Sequence, residues 1–115
     1  MDNGRYEEIQ EYDKDSTIQE LKLGDDKRII NALLGLAFNE QDWKWVQDIC
    51  LQFSNNSNYK VRGIAILCFG HLARIHGQLE TELVLPIVKK ALNDSNEFVR
   101  GHANSALDDI QFFLK

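Results

Sequence analysis

Proline occurs once, cysteine twice and glycine seven times in 115 residues, and no apolar run reaches the roughly 18 residues that a membrane span needs. Each shortage excludes something. Little proline and glycine leaves little material for linkers, and disorder is not indicated beyond the first few residues. A chain of this length buries about two-thirds of the surface of its unfolded form, which is enough for one core, so residues 1–115 are expected to form a single domain. Cys50 and Cys68 lack Cys-x-x-Cys spacing and stand among apolar neighbours, which predicts two buried free thiols rather than a disulfide or a metal pair. The opening residues lack the basic and apolar parts of a signal peptide, so a cytoplasmic protein with no membrane contact is expected.

Patterns for catalysis are as scarce. His71, His76 and His102 form neither an i,i+4 pair nor His-Glu-x-x-His, so a helical zinc site is unsupported. There is no phosphate-binding glycine loop and no Gly-x-Ser-x-Gly. Asp108 and Asp109 are adjacent and project about 100° apart on a helix, a poor arrangement for a paired acid and base. These absences predict no enzyme and no cofactor.

What is present is acidity at one end. Of the 18 acids, nine fall in residues 1–26 against Arg5, Lys14 and Lys22, whereas the remainder of the chain holds nine acids against ten bases. Such a charge distribution repels nucleic acid, whose binding needs Lys and Arg against phosphate, and attracts a basic protein. Glu7, Glu8, Glu11 and Asp13 are therefore candidates to meet a partner, the alternative being a leader that only aids solubility.

Apolar residues recur at spacings of three and four, with no sustained alternation, which predicts an all-α fold. Ser16 with Gln19 has the form of a capping box, and Asp25, Asp42, Asn58 and Ser95 each precede an amphipathic run. Gly24, the run 55–58, Gly77 and Asn93-Asp94 mark stops. The resulting helices are one or two before residue 23, then 25–39, 42–54, 58–77, 80–92 and 96–114.

A repeat underlies them. Ser57-Asn58-Tyr59-Lys60-Val61-Arg62-Gly63 returns as Ser95-Asn96-Glu97-Phe98-Val99-Arg100-Gly101 at an offset of 38 residues, and in the same frame Val84 matches Val46, Ile87 matches Ile49 and Ala103 matches Ala65. The unit is a helix pair, with copies at roughly 5–39, 42–77 and 80–114. These residues resemble the HEAT repeat family: Leu85-Pro86 in a first helix, Asp94 in the turn, then Val99-Arg100, Ala103 and Leu107. The central copy keeps Val61-Arg62, Ala65 and Gly70 but has Asn56 where the family places the turn aspartate, and it lacks the proline. The first copy keeps only Arg28 and the run Ala32 to Leu36. The resemblance implies a short right-handed α-solenoid of about three helix pairs. It also implies a contact between Asp94 and Arg100, with Asn56 weakening its equivalent at Arg62; these arginines are then structural rather than ligand-binding.

On the helix 58–77, Val61, Ile64, Ala65, Cys68, Leu72 and Ile75 make one apolar face, and Ile66, Phe69 and Ala73 a second. The strip left between them runs through Lys60, Gly63, Leu67, Gly70, His71 and Arg74. Its counterparts are Phe98, Gly101, Ser105, Asp108, Asp109 and Phe112 in the last copy, and Arg28, Ala32, Gly35 and Asn39 in the first. The polar and aromatic members make this a candidate binding face, His71, Arg74, Ser105, Asp108, Asp109 and Phe112 above all, unless the glycines merely let neighbouring helices pack closely. Trp43 shares a face with Val46, Cys50 and Phe53 and is expected in the core. Trp45 stacks only with Ile49 and Gln52, so it either anchors a partner or packs on the preceding helix.

A small acidic domain of this kind is similar to the HEAT-like immunity proteins that bacteria make against secreted toxins, including those of contact-dependent growth inhibition. That resemblance implies a protein that binds and blocks a basic toxin domain, possessed of no activity of its own. The alternatives are an accessory subunit resembling the HEAT-like bilin lyases or alkyl-base glycosylases, the latter needing a basic groove that this chain lacks, and a scaffold subunit joining two partners.

Overall fold

A computed structural model describes residues 12–114; Glu7, Glu8 and Glu11 lie outside the described residues. Among those described there are six α-helices and no strand: α1 Lys14–Leu23, α2 Asp26–Asn39, α3 Trp43–Phe53, α4 Tyr59–His76, α5 Thr81–Ala91 and α6 Glu97–Phe113. They form three consecutive helix pairs, a short α-solenoid, as the periodicity predicts.

Side-chain caps start most of these helices by satisfying N–H groups that have no partner within the helix. Asp25 accepts from the Arg28 amide at 3.0 Å and Asp42 from the Trp45 amide at 3.2 Å. Asn58 takes both the Lys60 and Val61 amides, at 2.9 and 3.1 Å. Two expected caps are displaced. Asp13 rather than Ser16 begins α1, its carboxylate accepting from the Asp15 amide and from Ser16 Oγ at 3.1 and 3.0 Å. Asn96 rather than Ser95 begins α6, accepting from the Phe98 amide at 2.8 Å. At its other end α4 stops at Gly77, whose φ of 64° is in the left-handed region that glycine adopts without a steric penalty.

The second helices of the pairs, α2, α4 and α6, pack side by side, and each first helix leans on the second helix of its own pair. Contacts along the lengths show that the three run parallel. The space beside Gly63 is filled by Phe98 and that beside Gly70 by Ala106 and Asp109, while the Phe38 and His71 rings, near the ends of α2 and α4, lie 4.7 Å apart. In α4, flanked on both sides, Val61, Ala65, Cys68, Phe69 and Leu72 are all fully buried.

The 38-residue frame survives in the core, where Val46 and Val84, Val61 and Val99, and Ala65 and Ala103 are all fully buried. It breaks on the outer side of α6. Phe69 is inside, but its counterpart Leu107 is only half-buried, because none of the described helices covers that side of α6. Ile66 likewise becomes the exposed Asn104. Ile75, expected on an apolar face, is exposed at the end of α4, and Trp43 is half-buried at the edge of the core.

Polar contacts fix the spacing between pairs. Arg62 donates from Nε and Nη2 to the two carboxylate oxygens of Asp94, each at 2.9 Å, and from Nη1 to the Asn56 carbonyl at 3.0 Å. The expected Asp94 to Arg100 contact is therefore of another kind: Arg100 Nη1 reaches only the Asp94 main-chain oxygen, at 2.7 Å. The carboxylate serves the preceding pair, so Arg62 has a full partner although its own turn carries Asn56. Between the first two pairs, Asn58 Nδ2 donates to Asp26 at 2.9 Å. The fully buried Gln47 ties α3 to the turn before α5, donating to Glu80 Oε1 at 2.7 Å and accepting from its amide at 2.8 Å.

Candidate functional site

The predicted strip divides into two kinds of position. Gly63 and Gly70 are buried, and a Cβ on them would sit 2.7 Å from the Phe98 ring and 3.0 Å from the Ala106 backbone, respectively. Their small size serves the packing of α4 on α6, so no outside backbone reaches them. Gly35 and Gly101 have open space where a Cβ would stand.

Toward the C-terminal ends of α4 and α6 the polar members converge. The Arg74 guanidinium lies 3.0 Å from His71 Nδ1 and 6.0 Å from the centre of the Phe38 ring. Burial lowers the pKa of His71, Arg74 adds to the effect, and the Asp109 carboxylate opposes it. Asp109 itself packs over Gly70. On α6, Ser105, Asp108 and Phe112 are exposed along the same stretch, and Phe112 meets the Phe113 ring edge-on at 4.8 Å. Thus His71, Arg74 and Asp109 come together, and Ser105, Asp108 and Phe112 border them.

Nearer the other end of the layer is an aromatic group, Tyr59, Phe98 and His102, with ring centres 5.7 and 4.2 Å apart along the chain of contacts. Burial lowers the pKa of His102.

Two further candidates lie elsewhere. Trp45 shares an apolar depression with Ile18, Leu21, Ile49 and Phe53, and Lys14 Nζ stands 4.1 Å over its ring. Its neighbours there from outside its own helix are on α1, the first helix of the preceding pair, rather than on α2, the helix directly before its own. Asp13 is used as the cap of α1.

Sequence patterning missed Phe38 and Ile75, which are 50% and 40% exposed and line one cleft of about 380 Å³ with Asn39, Glu40, Gln41 and His76. The clue available was position: Phe38 follows Gly35 by three residues, one helical turn along the first copy of the strip. For chemistry the surface offers little. Cys50 and Cys68 are buried free thiols, as expected, and the Cys50 thiol together with burial pushes Cys68 up. Among the described residues, no group of three or more His, Cys, Asp or Glu side chains is placed to hold a metal ion, and no helix is long and apolar enough to cross a membrane.

No family model matches the chain and no curated protein matches it in sequence. In fold it is similar to a chain of the crystal structure of a CDI complex from Cupriavidus taiwanensis LMG 19424, with a TM-score of 0.79 and 26% identity over 93% of this chain and 97% of that one.

Proposed function

We propose that this chain is an immunity protein of the HEAT-like kind, a single domain that binds and inhibits a cognate toxin in contact-dependent growth inhibition. The observation that carries the reading is the likeness to a chain of a CDI complex over nearly the whole of both chains. The arrangement of side chains supports an inhibitor in preference to an enzyme: the thiols are buried, and the His71 and His102 rings lie tilted against those of Phe38 and Phe98. The inhibitor acts in the cytoplasm, needs no cofactor and meets protein rather than nucleic acid or membrane.

Its partner face comprises His71, Arg74, Ser105, Asp108, Asp109 and Phe112, and the partner is a basic toxin domain. Opposite charges on the two surfaces speed association and fix orientation. The competing candidates are the N-terminal acids Glu7, Glu8, Glu11 and Asp13 and, separately, Trp45. The test is to purify the tagged chain from native cells, identify the protein bound to it, and express that protein in a susceptible host with and without the chain. The partner alone should kill, and the chain should restore growth in proportion to its dose. A partner that is harmless alone, or whose toxicity the chain leaves unchanged, overturns the reading.

A further inference from the structure

Most acids among the described residues have work inside the fold. Asp13, Asp25 and Asp42 cap helices. Asp15, Glu82 and Glu97 stand in first turns, where the helix dipole favours them. Glu20 pairs with Arg28, Asp26 with Asn58, Glu40 with Tyr12, Glu80 with Gln47 and Asp94 with Arg62. Three remain: Asp48 alone on α3, and Asp108 and Asp109 together on α6. Neither of the latter forms a salt bridge among the described residues. Both lie in the C-terminal half of α6, whose last turn contains no basic residue, so the dipole gives them no support. The next base after Arg100 is Lys115.

Beside them is the most exposed aromatic surface among the described residues. The second helices run parallel, so Phe38 of α2, Ile75 of α4, and Phe112 and Phe113 of α6 all come to one end of the layer, at 50%, 40%, 65% and 40% exposure. The contacts from Phe38 to His71 and from His71 to Arg74, with Asp109 of α6 packed against Gly70 next to His71 on α4, make the patch continuous across the three helices. Aromatic side chains bordered by charge are what the central contacts of protein interfaces require.

We infer that this aromatic end of the second-helix layer receives a basic segment of the partner, with an apolar or aromatic side chain seated between Phe38, Ile75 and Phe112 and an arginine or lysine directed to Asp108 and Asp109. The inference rests on the proposed inhibitor function and identifies the surface and the chemistry of its occupant. Carboxylates that form no salt bridge among the described residues select the positive charge. The Phe112 ring, one turn beyond Asp108 on the same side of α6, adds a face over which a cation is attracted.

The test uses a defined probe, the peptide acetyl-Arg-Trp-Arg-amide, titrated into the isotopically labelled chain and followed residue by residue in NMR spectra. Shifts should concentrate at residues 38, 71, 75 and 108–113, weaken with added salt, and be absent with acetyl-Glu-Trp-Glu-amide. The double variant Asp108→Lys, Asp109→Lys should weaken binding by about tenfold or more, as loss and reversal of close charge partners do. Phe112→Ala tests the aromatic part separately, and thermal unfolding checks that both variants remain folded. Shifts centred on α1 or Trp45, or equal binding of the acidic peptide, overturn the inference. The growth assay separates this surface from the function. If the parent protects and the double variant protects equally, the surface is wrong and the inhibitor reading stands. If the parent gives no protection, the inhibitor reading fails and the peptide map alone decides the surface.

Discussion

The first helix and the fourth show two ways of belonging to the same fold. α1 has ten residues, buries none of them, and leaves Leu23 76% exposed; α4 has eighteen and buries nine. What holds α1 is superficial: half-buried Ile18 and Leu21 beside Trp45 and Phe53, Tyr12 on Glu40, Lys14 at 3.9 Å from Glu40 and over the Trp45 ring, and Glu20 at 3.5 Å from Arg28. Exposed ion pairs of this sort contribute about 0–1 kcal/mol each, whereas a buried Phe or Leu contributes roughly 1.5–3 kcal/mol by its removal from water. Cooperative stability therefore resides in α2 to α6, and α1 is the element expected to open first.

The sharpest way to break that contrast is Phe69→Ala against Leu21→Ala. Phe69 is fully buried with helices on both sides of α4, so its truncation should cost about 3–5 kcal/mol. Leu21 only borders the core, and its loss should cost about 1 kcal/mol or less. Leu107→Ala should fall between them, since the same repeat position is half-covered at the end of the stack. Urea unfolding of the three variants measures this directly, and equal costs for Phe69 and Leu21 would show α1 to be part of the cooperative core.

Next in size is Arg62→Ala. The guanidinium binds Asp94 through two parallel hydrogen bonds and also holds the Asn56 carbonyl, joining the second and third pairs. Removing it should cost about 2 kcal/mol, because a charge-assisted pair is lost and a partly covered carboxylate is left with fewer donors. Arg100→Ala removes only the bond to the Asp94 main chain and should cost less. The Arg62 donors also keep the Asp94 pKa low, so this carboxylate stabilises the fold above its unfolded-state pKa and that contribution is lost as pH falls through the folded value. Arg62→Ala should thus flatten the acid limb of a stability profile measured from neutral pH downward.

Glycine substitutions should separate packing from openness with smaller effects of opposite sign. Gly70→Leu must push α6 outward from the Ala106 backbone and should destabilise by about 1–3 kcal/mol. Gly101→Ala meets no atom within 4 Å and should stabilise by up to about 1 kcal/mol, the usual gain of Ala over Gly inside a helix. Thermal unfolding of the pair measures both signs.

How far the sequence is legible follows the same division. Helices α3 to α6 are readable because their apolar residues keep helical spacing and their repeat places Val61 and Val99, or Ala65 and Ala103, in equivalent buried positions. The repeat cannot show where the stack ends, so Leu107 reads as buried like Phe69. Nor does spacing within one copy reveal that Asp94 pairs with the arginine of the preceding copy; that requires knowing how the pairs dock. The strip shows the same limit, since a glycine that admits a neighbouring helix and one that faces solvent are identical in sequence. Phe38 reaches His71 only because α2 and α4 run parallel, which no spacing within one copy encodes. At α1, the capping-box form of Ser16 and Gln19 points one turn too late, because the helix already begins at Asp13, whose carboxylate takes the Ser16 hydroxyl itself.

The smallest effect concerns how α1 is tethered. Tyr12 donates its phenol to Glu40 Oε1 at 2.6 Å, while Glu40 Oε2 accepts from the Asp42 amide at 3.1 Å, so one carboxylate links the start of α1 to the turn before α3. Burial and the Glu40 carboxylate raise the Tyr12 pKa, and the phenol in turn lowers that of Glu40. The signs are opposite. The Tyr12 contribution is fully present below the phenol's unfolded pKa and is lost as pH rises toward the folded value; the Glu40 contribution is present above the carboxylate's unfolded pKa and is lost as pH falls through the folded one. The tether is therefore complete at neutral pH and weakens on both sides. Tyr12→Phe keeps the ring and removes the bond, so it should cost only about 0.5–1.5 kcal/mol, the net value of one hydrogen bond. If α1 opens separately, that cost should appear in local opening and leave global unfolding unchanged. Amide exchange in α1 should quicken roughly threefold to tenfold at pH 7, an RT-scaled reading of the same hydrogen bond. Amides at the centre of α4 should exchange as in the parent. Faster exchange in α4 as well would mean that α1 and the later pairs open as one unit, and the contrast between the two helices would then be one of burial alone.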